Sequence, residues 1–357
     1  MALPLRAGLS SVLIIASIAC GDSTSPAGGG ATNGGSDQGG AGAASAGGAP
    51  SGGGPAGGHG GEGVGGASTG GSGGGGVGEG GSATGCLDAA DLTAGHHEVD
   101  CDGGIAYDVE IPSGCEDGGC GLVVDLHGYT MTGDSEDENT GMRALGQTYG
   151  YVVIQPTAPA DAFTFPSWDQ NAHAELVYAF TADLANLLGV DETKIHAMGF
   201  SQGGGMTFRL LCDHGDFFAS AAPIGALHGC DFTAGHPSEE IDILQVHGRT
   251  DGVVSFGGVA VPQRDQALAA FDYGDPVVIE EDADHTATRY STPSGTDFEF
   301  WEHDYQTSAV VAFVALHGHC VPGGADFDGT PAGYSCLDAG TFVFGELAMQ
   351  FFIDHPK

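Results

Sequence analysis

From about residue 95 onward the chain alternates short apolar runs with stretches whose apolar residues recur at helical spacing. Leu122 to Leu126 (LVVDL) and Tyr151 to Gln155 (YVVIQ, closed by Pro156) are continuous apolar runs of strand length. Such runs suit strands buried on both faces. Ser220 to Ile224, Ile241 to His247, Pro276 to Glu280 and Phe298 to His303 read the same way, and Val310 to Leu316 (VVAFVAL) is strongly strand-like. Ala174 to Leu188 carries apolar residues at helical spacing, with Gly189 as its stop. Met142 to Tyr149 and Thr341 to Ile353 also read as helices. His96 to Asp100, then Asp102-Gly103-Gly104, then Ile105 to Ile111 predict a β-hairpin. Met131 to Thr140 is polar and acidic, so a surface loop with solvated carboxylates is expected there. Strands alternating with helices predict an α/β fold with a mostly parallel central sheet flanked by helices, extended by the antiparallel N-terminal hairpin.

The first 85 residues do not follow that pattern. Residues 1–20 hold one positive charge, Arg6, and a short apolar core from Val12 to Ala19, which predicts a signal peptide. The core is too short for a comfortable membrane span. It ends Ser17-Ile18-Ala19-Cys20, which resembles a bacterial lipobox with Ser17 where an aliphatic residue is usual. If the match holds, Cys20 carries lipid and is the chain's sole membrane contact; otherwise the protein is secreted with cleavage near Ala19. Residues 21–85 are almost wholly Gly, Ala, Ser, Thr and Pro. They cannot bury a core, and they lack collagen's strict triplet, so a flexible tether is expected. One catalytic domain over 86–357 follows.

Charge narrows the function. The formal net charge is −39, and from residue 86 onward 43 acids face 7 Lys and Arg. Such a surface repels nucleic acid and anionic membranes, and it suits a saline habitat. Nine cysteines are present, and eight of them follow residue 85. An even set behind a signal peptide predicts disulfides in an oxidising compartment. Eight cysteines allow 105 pairings; proximity in sequence suggests Cys86–Cys101, Cys115–Cys120, Cys212–Cys230 and Cys320–Cys336. There is no C-x-x-C pair, so a zinc ribbon is not supported.

The candidate chemistry centres on Lys194 to Thr207, KIHAMGFSQGGGMT. Gly199-Phe200-Ser201-Gln202-Gly203 fits G-x-S-x-G, after an apolar run and before a helix-like segment (Met206 to Leu211). That is the context of a nucleophile elbow, where small neighbours let a strained turn present the hydroxyl. A serine hydroxyl needs a base to take its proton. In chain order, Asp251 stands just beyond one strand (IDILQVHGRTDGVV) and His319 just beyond another (VVAFVALHGHCVPGG). Strand ends are where α/β sheets gather their sites. His319 would shuttle the proton and Asp251 would orient the imidazole. Oxyanion donors are expected at the Gln202 N–H and, in HGYT after Leu126, at the Tyr129 N–H, with His127 structural. Asp284, beside His285, rivals Asp251 but follows an acidic run without a glycine turn. His317 rivals His319; strand alternation aims both to one side, and the Pro-Gly that follows favours His319. His317-x-His319 has no third metal ligand at suggestive spacing, and Asp326-Phe327-Asp328-Gly329 reads as a polar turn, so no metal is expected. His96, His97 and His228 read as surface or loop residues. Trp168, Phe163 and Phe165 either line an acyl pocket or pack as core.

The stretches LVVDLHG, YGYVVIQP, LGVDETKIHAMGFSQGGGM, DFFASAAPIGAL, HGRTDGVV, GHCVPGG and FFIDHP stand in order along residues 100–355. This set resembles the secreted feruloyl esterases and poly(3-hydroxybutyrate) depolymerases, with their acetylxylan esterase relatives. The resemblance implies an α/β-hydrolase fold, Ser201, Asp251 and His319 as triad, and no cofactor. Val321 stands where the family often has Trp on the acyl side, and Gln202 stands where many relatives have Asn. The expected function is a secreted, monomeric serine carboxylic-ester hydrolase acting through an acyl-enzyme on plant-polysaccharide esters or polyester. The alternative is an idle hydrolase scaffold used for cell-surface binding.

Overall fold

The computed structural model describes residues 85–87, 92–227, 229–311, 313–324, 334–336 and 342–357. The chain divides into two units, Met1–Ser72 and Gly73–Lys357, and every described residue lies in the second. The expected signal segment with Cys20, the tether as far as residue 84, His228 and Asp326–Gly329 lie outside the described residues.

Among the described residues the strands are β1 (Gly95–Asp100), β2 (Ala106–Ile111), β3 (Gly121–Leu126), β4 (Tyr151–Thr157), β5 (Ile195–Phe200), β6 (Ser220–Ile224), β7 (Asp242–Gly248), β8 (Val277–Glu281), β9 (His285–Ser291), β10 (Asp297–His303), β11 (Thr307–Val311) and β12 (Val314–His317). The helices are α1 (Gly133–Thr140), α2 (Met142–Tyr149), α3 (Gln170–Leu188), α4 (Gln202–His214), α5 (Val261–Ala270) and α6 (Phe344–Asp354). Ten strands form one sheet in the order β1-β2-β4-β3-β5-β6-β7-β10-β9-β8. The middle six, β4 to β10 in that order, run parallel. The expected N-terminal hairpin adds β1 and β2 antiparallel at one edge, and β9 and β8 do the same at the other.

The parallel strands are largely buried and mostly apolar because helices cover both faces. Leu122, Val124 and Leu126 of β3 pack with α3 and α4 residues such as Phe180, Leu184 and Phe208. Val123, Met198 and Ile224 point the other way, into a core with Met142, Phe344 and Phe352. Gly189 closes α3 in the left-handed conformation, as the stop signal predicts.

Three sequence expectations need correction. Met131–Thr140 is not a loop: α1 occupies Gly133–Thr140, capped by Thr132, whose hydroxyl accepts from the Ser135 N–H at 3.3 Å while Ser135 Oγ accepts from the Thr132 N–H at 2.6 Å. Its inward stripe is Glu136, Asn139 and Thr140, all polar, so apolar periodicity could not announce it. Nor are its carboxylates all solvated, since Glu136 is fully buried. Val310–Leu316 is not one strand but the two arms of the β11–β12 hairpin, in a sheet of its own, with Phe313 at positive φ (69°) in the turn.

Candidate active site

Ser201 stands where β5 ends and α4 begins. Its backbone adopts φ 56°, ψ −113°, a region side-chain-bearing residues avoid at a cost of about 1–3 kcal/mol. The turn is held open at that strain by its neighbours. The Ser201 N–H donates to the Ile224 carbonyl at 2.9 Å, anchoring the elbow to β6. A Cβ on Gly199 would stand 2.6 Å from the Leu126 carbonyl oxygen, and one on Gly203 would strike that same oxygen. Glycine at both places is therefore a steric requirement of running β5 and α4 beside the end of β3.

His319 and Asp251 reach Ser201 from two later loops. The imidazole Nε2 lies 2.9 Å from Ser201 Oγ, and Nδ1 lies 2.7 Å from Asp251 Oδ2. Asp251 Oδ1 accepts from the Val253 and Val254 N–H groups at 2.8 and 2.6 Å, so the carboxylate cannot swing away. The backbone of Asp251 bridges that of His317, which ties the acid's loop to β12. The ring of His319 rests on Phe200, 4.7 Å between centroids, and above Gly225, where a Cβ would come within 3.3 Å of it. His319 is 3% exposed and Ser201 6%, so the pair meets in a nearly dry niche. A niche of that kind shields proton transfer from bulk water. His247 comes within 3.4 Å of Asp251 but gives its Nε2 to the Val254 carbonyl; burial lowers its pKa and keeps it neutral.

His317 is exposed, with positive φ (50°), and does not join them. The positive φ breaks the alternation that would have aimed both imidazoles alike. Asp284 lies in the turn before β9, at the antiparallel end of the sheet. Its N–H and the N–H of His285 both donate to Asp282 Oδ1, at 2.7 and 2.8 Å.

The segment after β3 runs beside Ser201. A Cβ on Gly128 would stand 3.4 Å from Ser201 Cβ and 3.1 Å from the Phe200 ring. His127 is fully buried; its Nε2 accepts from the Ala158 N–H at 2.9 Å, and its Nδ1 lies 2.6 Å from the Gly128 carbonyl. Burial pushes its pKa down to about 4, so it is a neutral structural imidazole. The Tyr129 hydroxyl donates to Asp161 Oδ2 at 3.0 Å, and the Thr130 N–H donates to the Pro166 carbonyl at 3.0 Å. Gln202 opens α4, where first-turn N–H groups have no intrahelical acceptor.

Two supports of this loop carried no sequence signal. The Gln202 side chain accepts from the Trp168 N–H (2.9 Å) and donates to the Trp168 carbonyl (3.0 Å) and Ser167 Oγ (3.2 Å). Tyr334 bonds Thr130 Oγ1 at 2.9 Å and donates to the Tyr129 carbonyl at 3.3 Å. It is carried by a segment that pairs with Val321 and is stapled by Cys320–Cys336. Val321 is buried within that pairing. The other disulfides are Cys86–Cys101, Cys115–Cys120 and Cys212–Cys230. Trp168 packs as core: it is buried and donates Nε1–H to the His127 carbonyl at 2.9 Å. Phe163 and Phe165 are 63% and 47% exposed, with Phe165 edge-on to Tyr129. Elsewhere, ligand atoms of His96, Glu98 and Asp108 lie within 4.8 Å of one another on the solvent face of β1 and β2, and Arg143 shares Asp108 at 3.7 Å.

No family model matches the chain. Over 102 residues it is 34% identical to a protein named "Probable feruloyl esterase C" of Aspergillus clavatus, covering 27% of this chain and 36% of that one. Over 124 residues it is 27% identical to acetylxylan esterase A of Aspergillus ficuum, covering 32% and 40%. Over 114 residues it is 30% identical to a poly(3-hydroxybutyrate) depolymerase of Ralstonia pickettii, covering 28% and 23%. The chain thus spans less than half the length of these curated relatives. Among solved structures, the acetyl xylan esterase from Aspergillus awamori superposes with a TM-score of 0.50 at 14% identity, over 58% of this chain and 93% of that one. The resemblance read from the sequence is borne out, and the fold is that of the α/β-hydrolases.

Proposed function

We propose that the chain is a serine carboxylic-ester hydrolase of the feruloyl esterase, acetylxylan esterase and poly(3-hydroxybutyrate) depolymerase type. The observation that carries this reading is the continuous Ser201–His319–Asp251 relay, 2.9 and 2.7 Å long, with Ser201 on a strained elbow. Ser201 Oγ attacks the acyl carbon as its proton passes to His319 Nε2. The carbonyl electrons move onto oxygen, which the Gln202 and Tyr129 N–H groups receive. Collapse expels the alcohol, which takes the proton from Nε2 and leaves an acyl-serine. Water then repeats the sequence and releases the acid. Asp251 fixes the tautomer and faces the imidazolium as it forms. The residues supply every proton and pair of electrons, so the reading calls for no cofactor.

Four disulfides support an oxidising, extracellular setting. The exposed Phe165 edge-on to Tyr129, with exposed Phe163 two residues before it, favours an apolar or aromatic acyl group over acetyl. The test is a hydrolysis panel: p-nitrophenyl acetate and butyrate, methyl ferulate, acetylated xylan and a poly(3-hydroxybutyrate) suspension, each with wild type and Ser201→Ala. Turnover lost by roughly 10⁴-fold or more in Ser201→Ala supports the reading. An idle scaffold would turn over nothing and leave Ser201 unlabelled by a serine-directed phosphonate.

A further inference from the structure

Behind the loop that carries Gly128 and Tyr129 sits a carboxyl group that the ester chemistry does not use. Glu136 projects from the inward stripe of α1 and is fully buried. Neither of its oxygens completes a hydrogen bond. The groups that act on it are the N–H of Phe200, the N–H of Gly128 and the carboxyls of Asp125 and Asp137, the amides standing outside full hydrogen-bond geometry. The Tyr334 hydroxyl also feels its charge. Phe200 immediately precedes Ser201, and Gly128 is the residue whose backbone passes against the nucleophile. One buried acid therefore faces both halves of the machinery: the elbow strand and the oxyanion loop.

Its surroundings decide its charge. Asp125 is fully buried on β3, and its Oδ2 accepts from Thr140 Oγ1 at 2.7 Å and Gln155 Nε2 at 2.8 Å. Asp137 accepts from the Arg143 N–H at 2.8 Å. Arg143 gives its guanidinium to Gln155 and Asp134. Among the described residues no Lys, Arg or His forms an ion pair with Glu136. Burial first, then Asp125, raises the Glu136 pKa well above the usual carboxyl range. Two neighbouring buried acids without a cation between them do not both ionise.

We propose that Glu136 is a positioning residue that, as a neutral acid, holds the oxyanion loop against the nucleophile turn, and that its ionisation disables the site. A neutral carboxyl can present its carbonyl oxygen to the backbone N–H groups around it. An ionised one sets a negative charge behind the donors that must receive the oxyanion, in a medium too apolar to screen it. The role rests on the ester-hydrolase reading.

An imidazole base alone gives a rate that rises with pH and then levels off. The neutral-acid role adds a fall on the alkaline side. The experiment is kcat and KM against pH for methyl butyrate, followed by pH-stat, on full-length wild type, Glu136→Gln, Glu136→Ala and Tyr334→Phe. Wild-type kcat is expected to fall on the alkaline side. Glu136→Gln should keep roughly half or more of the neutral-pH kcat and lose that fall, because an amide cannot ionise. Glu136→Ala should lose about tenfold in kcat with KM unchanged. If the alanine variant does not fold, the glutamine variant alone decides. A flat wild-type alkaline profile overturns the proposal. So does an unchanged alkaline limb in Glu136→Gln, or its removal by Tyr334→Phe. No Ser201-dependent hydrolysis at all overturns the ester-hydrolase reading and this role with it; the other failures overturn this role alone.

Discussion

Gln202 shows what a side chain beside a nucleophile can do beyond lending its backbone. Its amide both accepts from and donates to the backbone of Trp168, and Trp168 in turn donates to the His127 carbonyl at the root of the oxyanion loop. Gln202→Ala should free the Ser167–Trp168 segment, lower stability by about 1–2 kcal/mol and reduce kcat about tenfold. Urea unfolding and steady-state kinetics measure both. Unchanged kinetics would mean Trp168 alone anchors the loop. Ser201, Asp251 and His319 were legible because each sits in a local pattern: a glycine-flanked turn, or a short loop after an apolar run. Choosing between His317 and His319 needed backbone geometry, since it is the positive φ at His317 that parts them. Gln202 and Tyr334 were not legible as supports, because their partners lie 34 and 205 residues away in the chain.

At the scale of elements, the sequence announced whatever was apolar and periodic. Strands β3 to β7 and helix α3 fall within a residue or a few of their predicted positions. Each miss has its own physical cause. Helix α1 buries polar side chains, Thr140 donating to Asp125 and Asn139 accepting from Ser335, so its pattern imitates a solvated loop. The β11–β12 hairpin turns at Phe313, inside an apolar run with no glycine or proline to mark it. The segment 334–336 has no regular structure of its own. It is held by two backbone bonds to Val321, at 2.7 and 3.0 Å, and by Cys320–Cys336. It delivers Tyr334 to the oxyanion loop, and its bridge starts at the residue after His319. Opening that loop by Cys336→Ser should cost about 3 kcal/mol and lower kcat several-fold, with the larger effect on kcat than on KM. Equal kinetics in variant and wild type would show that backbone pairing suffices to place Tyr334.

For the whole molecule, two electrostatic effects oppose each other as pH falls. The surface carries a large excess of acids, whose mutual repulsion weakens the compact state until they protonate, below about pH 5. The interior holds neutral histidines. Burial pushes His127 down to about 4 and His196 and His303 down to about 3. In the unfolded chain each would titrate near about 6.5. The unfolded state therefore binds more protons below that value. The stability these groups contribute is fully present above about pH 6.5 and is lost as pH falls toward their folded values. One pH unit below the unfolded value, three imidazoles cost about 4 kcal/mol together. Asp125, raised to about 6 by burial, works the other way, because its protonation favours the folded state. Glu136, raised well above the usual carboxyl range, works the same way as Asp125, while His247, lowered by burial, joins the imidazoles, so the two acids offset only part of that loss. Between pH 7 and 5.5 the surface carboxylates stay ionised, so the imidazoles decide the sign: Tm should fall across that window. Salt separates the two effects. Screening relieves repulsion among exposed carboxylates, so raising sodium chloride to about 1 M should lift Tm at every pH, whereas buried imidazoles lie beyond its reach and the slope against pH should persist. A Tm that is level or higher at pH 5.5 than at pH 7 would show that charge relief, not histidine burial, governs the acid side of stability. A slope abolished by salt would show that the titrating groups lie on the surface.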